Sequence, residues 1–568
     1  MLNKEYYLVG KISQGKNNKH EIITPDLEEK NEKDSVHSAR ISPYYPLTAG
    51  IKQKFLRSKI KWVIDKLDYL SDLDEILPDY IISNYNLIGL KAAIKNIHFP
   101  ESKSALTHSK KRLSFDEMLF IQLRQMRLKG EIEKLKTIKI KSTIINKAIT
   151  EFFHNIPFSL TTDQENAIKE ILTDISSDKP MYRLLQGDVG SGKTVVAAAA
   201  AAAVVYSGYD VAIMAPTTIL ANQINQVIQN FLPNIEIKLL TGSSSQNRIK
   251  TLSEPDHNCS KSKENGKIHI GTHALIYQKN TKYSNLGLVI IDEQHRFGVE
   301  QRKKLYSLNP SLCPHYLMMT ATPIPRTLLL SLFGDMQTSV INTKPSGRKS
   351  VLTYLVPTEK KPDSYKWFNS KLNSGEQIFW ICPLIEDNDD STLKSIKQTE
   401  QILKKVLNAR IAILHGKLTE SQKNQLLSDF KNNLINVLIS TTVVEVGVDI
   451  PNANIIVIES AEQFGLAQLH QLRGRVGRSP AQAYCFLFSD KTSDSPNIHN
   501  RLTYFSKEHD GLKIAEYDLQ QRGPGEVYGI KQSGIPALKL ANILDLTLIQ
   551  ETRKAAQTIL KNGDTISF

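Results

Sequence analysis

Gln186-Gly-Asp-Val-Gly-Ser-Gly-Lys-Thr194 has the residue types and spacing of a loop that holds phosphate. It fits G-x-x-x-x-G-K-[ST] on Gly187, Gly192, Lys193 and Thr194, with Gly190 inside the same turn. Glycines let successive backbone N–H groups converge on anionic oxygens at a helix N-terminus. In such a loop Lys193 reaches the β- and γ-phosphates, and the Thr194 hydroxyl is a ligand for Mg²⁺. The flanks agree with this reading. Tyr182-Arg-Leu-Leu185 is a short strand, and Val195 opens an alanine-rich helix. The expected ligand is a nucleoside triphosphate.

About a hundred residues on, Ile290-Ile-Asp-Glu-Gln-His295 closes an apolar run with two carboxylates. Hydrolysis of a phosphate anhydride needs such a pair: Asp292 for Mg²⁺, Glu293 to orient and deprotonate water. Thr320-Ala-Thr-Pro323 ends the next strand with small hydroxylated residues, suited to a relay through Thr320 and Thr322. In Gln471-Leu-Arg-Gly-Arg-Val-Gly-Arg478, Arg475 and Arg478 stand three apart and can share a helix face. An arginine offered across a cleft stabilises charge developing on a transferred phosphoryl group. Together these motifs predict two lobes closing on ATP, one holding phosphate and metal, the other donating arginine.

The elements between the motifs supply the frame. Residues 1–45 contain strand pieces at Tyr6–Ile12 and His20–Thr24, and residues 46–150 have helical periodicity. Within that stretch Ser114-Phe-Asp-Glu117 is a capping box expected to open a long helix. Lys110, Lys111, Arg112, Arg124 and Arg127 are expected on a solvated face, with phosphate contact as the alternative. Residues 151–345 alternate strand and helix, and 346–500 repeat the pattern without a phosphate loop. That alternation predicts two parallel sheets covered by helices. Residues 501–568 carry the turn Arg522-Gly-Pro-Gly525 and an amphipathic helix near Ile543–Ile559.

The 568 residues carry a net charge of +14 and a sequence pI of about 9.2, which suits an anionic polymer as partner. Four dispersed cysteines (Cys259, Cys313, Cys382, Cys485) argue against a disulfide framework or zinc site and favour a reducing compartment. The longest apolar run, Val195–Tyr206, is too short to span a bilayer. No membrane association and a cytoplasmic location are therefore expected.

The ordered motifs, from Phe158-Ser-Leu-Thr-Thr-Asp-Gln164 through Ala215-Pro-Thr-Thr-Ile-Leu220, Gly271-Thr-His-Ala-Leu275 and Ser440–Asp449 to Gln471–Arg478, resemble superfamily 2 helicases. Asp292–Val299, Thr322-Pro-Ile-Pro-Arg-Thr-Leu328 and Asp518-Leu-Gln-Gln-Arg-Gly-Pro-Gly-Glu526 narrow the resemblance to the RecG family. The resemblance implies an α/β chain with two RecA-like motor domains. A partial OB-fold β-piece and a helical linker would precede them, and a helical-hairpin and hook region would follow. It implies adenine recognition by Gln164 with Phe158 nearby, and DNA-backbone tracking in the motifs of Thr217 and Thr272. It further implies DNA-to-nucleotide coupling around Thr441 and Glu445, and translocation coupling through Arg522 and Gln532. The implied activity is ATP- and Mg²⁺-dependent remodelling of forks and four-way junctions in bacterial recombination and repair. The enzyme would be a nucleoid-associated monomer with a single-strand-binding protein as a further partner.

Three departures qualify that picture. The chain begins within what resembles the last wedge strands, Gln521 stands where the family has an apolar residue, and Lys531 replaces an arginine. Two other expectations follow: a transcription-repair coupling-type duplex translocase, or a DNA-stimulated ATPase that has lost branch unwinding.

Overall fold

In a computed structural model the described residues are 5–14, 20–29, 40–69, 73–240, 265–272, 275, 285–293, 312–322, 325, 336–343, 349–383, 389–441, 452–477, 480–489, 495–522, 538–564 and 566. They fall into two compact units. One comprises Met1–Leu128, Thr327–Gly334 and Ala537–Phe568; the other comprises Lys129–Arg326 and Asp335–Pro536.

In the first unit, β1 (Tyr6–Gln14) and β2 (His20–Glu29) pair antiparallel. Helices α1 (Gln53–Asp65), α2 (Asp79–Asn84), α3 (Leu90–His98) and α4 (Lys103–Glu133) follow. The capping box at Ser114 does not start a helix, because α4 is already continuous from Lys103. Tertiary contacts override the local signal there. Arg112, fully buried, is held by Glu75, Asp116 and the Ile88 carbonyl, and Lys111 donates to the Tyr85 carbonyl. Arg112 is thus neither solvated nor free for phosphate.

The second unit opens with α5 (Ser142–His154) and α6 (Thr162–Ile175). The first lobe then runs through β3 (Tyr182–Gly187), α7 (Lys193–Val205), β4 (Asp210–Met214), α8 (Thr218–Phe231), β5 (Ile237–Leu240), β6 (Ile268–Gly271), β7 (Leu286–Asp292), β8 (His315–Thr320) and β9 (Gln337–Ile341). Its parallel sheet has the order β5-β6-β4-β7-β8-β3-β9. Helix α7 is buried all round from Val195 to Val205 and packs against α5, α6, α8 and the sheet. A run of alanines suits that position, since small side chains let four neighbours approach one helix at once.

The second lobe contains β10 (Leu352–Val356), α9 (Lys361–Asn373), β11 (Gln377–Ile381), α10 (Asp389–Val406), β12 (Ile411–Leu414), α11 (Glu420–Lys431), β13 (Val437–Ser440), β14 (Ala453–Ile458), α12 (Leu466–Arg473) and β15 (Tyr484–Phe488). Its parallel sheet has the order β10-β15-β14-β11-β13-β12. One face packs an aromatic cluster that includes Phe368, Trp380, Phe486 and Phe488. Helices α13 (Pro496–Lys507) and α14 (Gly511–Arg522) follow, with α14 packed on α12, and α15 (Leu546–Asn562) belongs to the first unit. Cys313, Cys382 and Cys485 are buried free thiols, while Cys259 lies outside the described residues.

Candidate active site between two α/β lobes

Sheet order brings the chemistry together. Strands β7, β8 and β3 are neighbours, so the phosphate loop, the Asp-Glu pair and the Thr-Ala-Thr turn leave one sheet end side by side. Gln186 is level with Thr320, and Asp292 with Met319. Carboxyl ends of parallel strands are where α/β folds bind ligands.

The loop has the geometry of a cradle. Gly192 has φ +87°, and a Cβ there would lie 2.2 Å from the Gln164 side-chain nitrogen. A Cβ on Gly187 would meet Ser191 Oγ at 2.5 Å. Only glycine fits either position. Ser191 Oγ is buried and has no hydrogen-bond partner among the described residues, a polar atom suited to a phosphate oxygen. Lys193 Nζ donates to the carbonyls of Gly187 (2.7 Å) and Asp188 (2.9 Å). Burial pushes its pKa down, while Glu293, Asp292 and Asp188 pull it up and Arg475 pushes it down.

Burial, and next Glu293, raise Asp292 well above the usual carboxylate range; Lys193, the Glu293 amide and Arg475 act against them. Glu293 N donates to Asp292 Oδ1 at 3.0 Å, and Glu293 sits at φ +52°, a strained backbone for a non-glycine residue. Two adjacent half-buried carboxylates under mutual repulsion suit a divalent cation, and the Thr194 hydroxyl adds a hard oxygen donor. The donor set therefore fits Mg²⁺.

Gln164 is almost wholly buried. It completes a capping box with Thr161 and donates from Nε2 to the Ser191 carbonyl at 2.8 Å, tying α6 to the phosphate loop. Phe158 is half exposed, edge-on to Phe231. Thr217 caps α8, accepting from Leu220 N, and Thr272 follows β6. Thr320 and Thr322 share a hydroxyl hydrogen bond of 2.6 Å. Thr441 is buried just beyond β13. Glu445, Arg478 and Gln532 lie outside the described residues, and Arg522 ends α14 with its side chain undescribed.

From the second lobe, Arg475 is buried and close enough to act electrostatically on both Lys193 and Asp292. Two contacts seat α12 against the phosphate loop, and a third, within the helix, orients His470. His470 Nε2 lies 2.5 Å from Asp188 Oδ1, Arg473 Nη2 lies 2.9 Å from His470 Nδ1, and Gly474 faces Val189. Because arginine only donates, Nδ1 accepts from Arg473 and Nε2–H donates to Asp188. Arg473 also donates to the carbonyls of Phe505 and Glu508. Sequence motifs had not singled out Asp188, His470 or Arg473. The signal was their position in or beside the two motifs: Asp188 one residue after Gly187, His470 one before Gln471 and Arg473 two after it.

Fold and site define a two-lobed nucleoside-triphosphate motor whose phosphate loop and arginine come from one chain. Residues 161–330 match the DEAD/DEAH box helicase family and 363–480 the helicase conserved C-terminal domain. Residues 1–67 match the RecG wedge domain, and 508–567 match domain 3, C-terminal, of ATP-dependent DNA helicase RecG. The chain is 41% identical to the RecG helicase of Aquifex aeolicus, covering 99% of itself and 72% of that protein. It is 40% identical to the Streptococcus pneumoniae enzyme, over 91% of itself and 76% of that protein. A solved RecG bound to a three-way DNA junction superposes with a TM-score of 0.73 at 37% identity, covering 97% of this chain and 71% of that one. The chain belongs to the RecG family of ATP-dependent DNA helicases. Among the described residues no helix is long and apolar enough to cross a membrane.

Proposed function

We propose that the chain couples Mg²⁺-dependent ATP hydrolysis to movement on duplex DNA and remodels branched substrates, forks and four-way junctions. The observation that carries this is the seam where α12 of the second lobe meets the phosphate loop, with His470 bonded to Asp188 and Gly474 against Val189, which sets Arg475 beside the first-lobe site and ties hydrolysis to lobe closure. The branched substrate is supported by likeness to the RecG solved on a three-way junction.

Gly187, Gly190 and Gly192 let the loop amides face the phosphates, and Lys193 turns from the loop carbonyls to the β/γ-phosphates. Thr194 and Asp292 would hold Mg²⁺, which when bound supplies positive charge across phosphate oxygens. Glu293 orients the attacking water and takes its proton. Arg475, with Arg478, stabilises charge on the transferred phosphoryl group. Gln164 senses adenine and, through the Ser191 carbonyl, passes its position to the phosphate loop. Thr217 and Thr272 track the DNA backbone, and Thr320, Thr322, Thr441 and Glu445 link that track to the cleft. Arg522 and Gln532 convert closure into translocation.

We assign residues 1–45 to a wedge piece, 46–150 to the linker, 151–345 and 346–500 to the motor lobes, and 501–568 to coupling. A cleft built within one chain supports a monomer, and bacterial relatives support a cytoplasmic place, with a single-strand-binding protein as the proposed fork partner. The test is the ATPase rate without DNA, with single strand, with linear duplex and with a model fork. The fork should stimulate most. Equal stimulation by linear duplex would refute branch recognition.

A further inference from the structure

The segment between α14 and α15 contains Gly523–Gln532, and each of its described flanks is tied by a carboxylate to another helix: Asp518 of the near flank to α12, and the far flank to Glu117 of α4. On the near flank Asp518, in α14 and 1% exposed, accepts from Leu466 N at 2.8 Å; burial raises its pKa, and the Leu466 and Ala467 amides act against that rise. These amides open α12, the helix that leads into Arg475. A carboxyl group there satisfies an end amide of that helix and steadies it.

On the far flank Glu117, in α4, accepts from three consecutive amides: Lys539 N at 3.1 Å, Leu540 N at 3.0 Å and Ala541 N at 2.9 Å. Consecutive backbone N–H groups converging on one point make an anion nest. A charged acceptor makes such bonds stronger than neutral ones. The stretch after the nest does not need Glu117 to fold. Ile543, Ile549, Ala556 and Ile559 are buried, Asp545 caps α15 by itself, and Tyr80 donates to Asp564 at the far end. Among the described residues it is Glu117 that holds the amides of 539–541, the start of the far flank. Its sequence neighbours Phe115, Asp116, Met118 and Leu119 are buried, so its backbone is a rigid mount.

We propose that Glu117 is a positioning residue for translocation: its carboxylate clamps the amides of residues 539–541 and anchors the far end of the coupling segment to the linker helix, so that lobe closure moves DNA rather than slack chain. This rests on the proposed coupling of hydrolysis to duplex movement. A rigid far end turns displacement of the near end into a stroke; a loose far end absorbs it.

The test reads base pairs unwound per ATP on a model fork, beside the DNA-stimulated ATPase rate and Tm. Glu117→Ala should keep kcat within about twofold and lower base pairs per ATP at least about fivefold, with Glu117→Gln intermediate because it keeps one acceptor oxygen. Leu540→Pro removes a donor from the opposite side and should reproduce the defect. An unchanged ratio in Glu117→Ala, or ATPase and unwinding falling together with Tm, would overturn the proposal. Should the wild-type enzyme fail to unwind forks at all, the functional reading fails instead, so the two failures are distinguishable.

Discussion

Gly474→Ala isolates lobe closure from every other property of the site. Gly474 has φ −69° and ψ −6°, ordinary helical values, so alanine carries no backbone strain. Its added Cβ, however, would lie 2.8 Å from Val189 Cβ and 3.2 and 3.3 Å from the two γ-carbons. Carbon atoms rest at about 3.5–4.0 Å, so the arginine helix and phosphate loop must part by about 1 Å. Overpacking of this kind costs about 1–3 kcal/mol. Set against closure, that lowers the closed population, and with it kcat, about 5- to 150-fold. Thermal stability should not fall, because the change touches only the seam between lobes. Val189→Ala in the same background removes the γ-carbon contacts but keeps the Cβ clash, so rescue should be partial. Steady-state ATPase with saturating DNA, beside thermal melts, is the assay. A kcat within about twofold of wild type at unchanged Tm would refute the closure geometry.

The Asp188–His470 bond yields a second expectation. Asp188→Asn keeps an acceptor for His470 Nε2–H but drops its charge, a loss of about 1 kcal/mol, so kcat should fall about fivefold with fold intact. His315 governs a pH effect. It is fully buried at the start of β8, accepts from Met181 N at 3.0 Å on Nδ1 and donates from Nε2 to the Ile138 carbonyl at 2.9 Å. Burial lowers its pKa to about 4, so the folded chain holds it neutral. A base whose pKa is depressed by folding contributes stability above its unfolded pKa of about 6.5 and loses it as pH falls towards 4, about 3 kcal/mol here. Chemical unfolding of the first-lobe transition at pH 7 and 4.5 should show this loss in wild type and a flatter response in His315→Gln.

Much of the motor was legible because buried parallel strands are continuous apolar runs. Tyr182–Leu185 lies in β3, and the apolar run closed by Ile290-Ile-Asp292 is β7. The strands with the weakest apolar signal lie at sheet edges: β5, β9 and β10. Gln337-Thr-Ser-Val-Ile and Leu352-Thr-Tyr-Leu-Val have partly exposed positions, so their apolar pattern is diluted. The linker misled for another reason: Ser114-Phe-Asp-Glu117 has a capping sequence, yet contacts to Glu75 and Ile88 carry the helix straight through it. Phosphate, carboxylate and arginine motifs were legible because their chemistry fixes local spacing. Asp188 with His470, 282 positions apart, and Glu117 with Ala541, 424 apart, have no local signal; only the fold brings them together.

The most direct test of the account is strand displacement from a labelled model fork by wild type and Lys193→Ala, with ATP and Mg²⁺. Wild type should displace the strand, and Lys193→Ala should bind the fork with similar affinity yet displace none. Displacement by Lys193→Ala, or its absence in a wild-type enzyme whose ATPase the fork stimulates, would contradict the claim that this cleft drives branch remodelling.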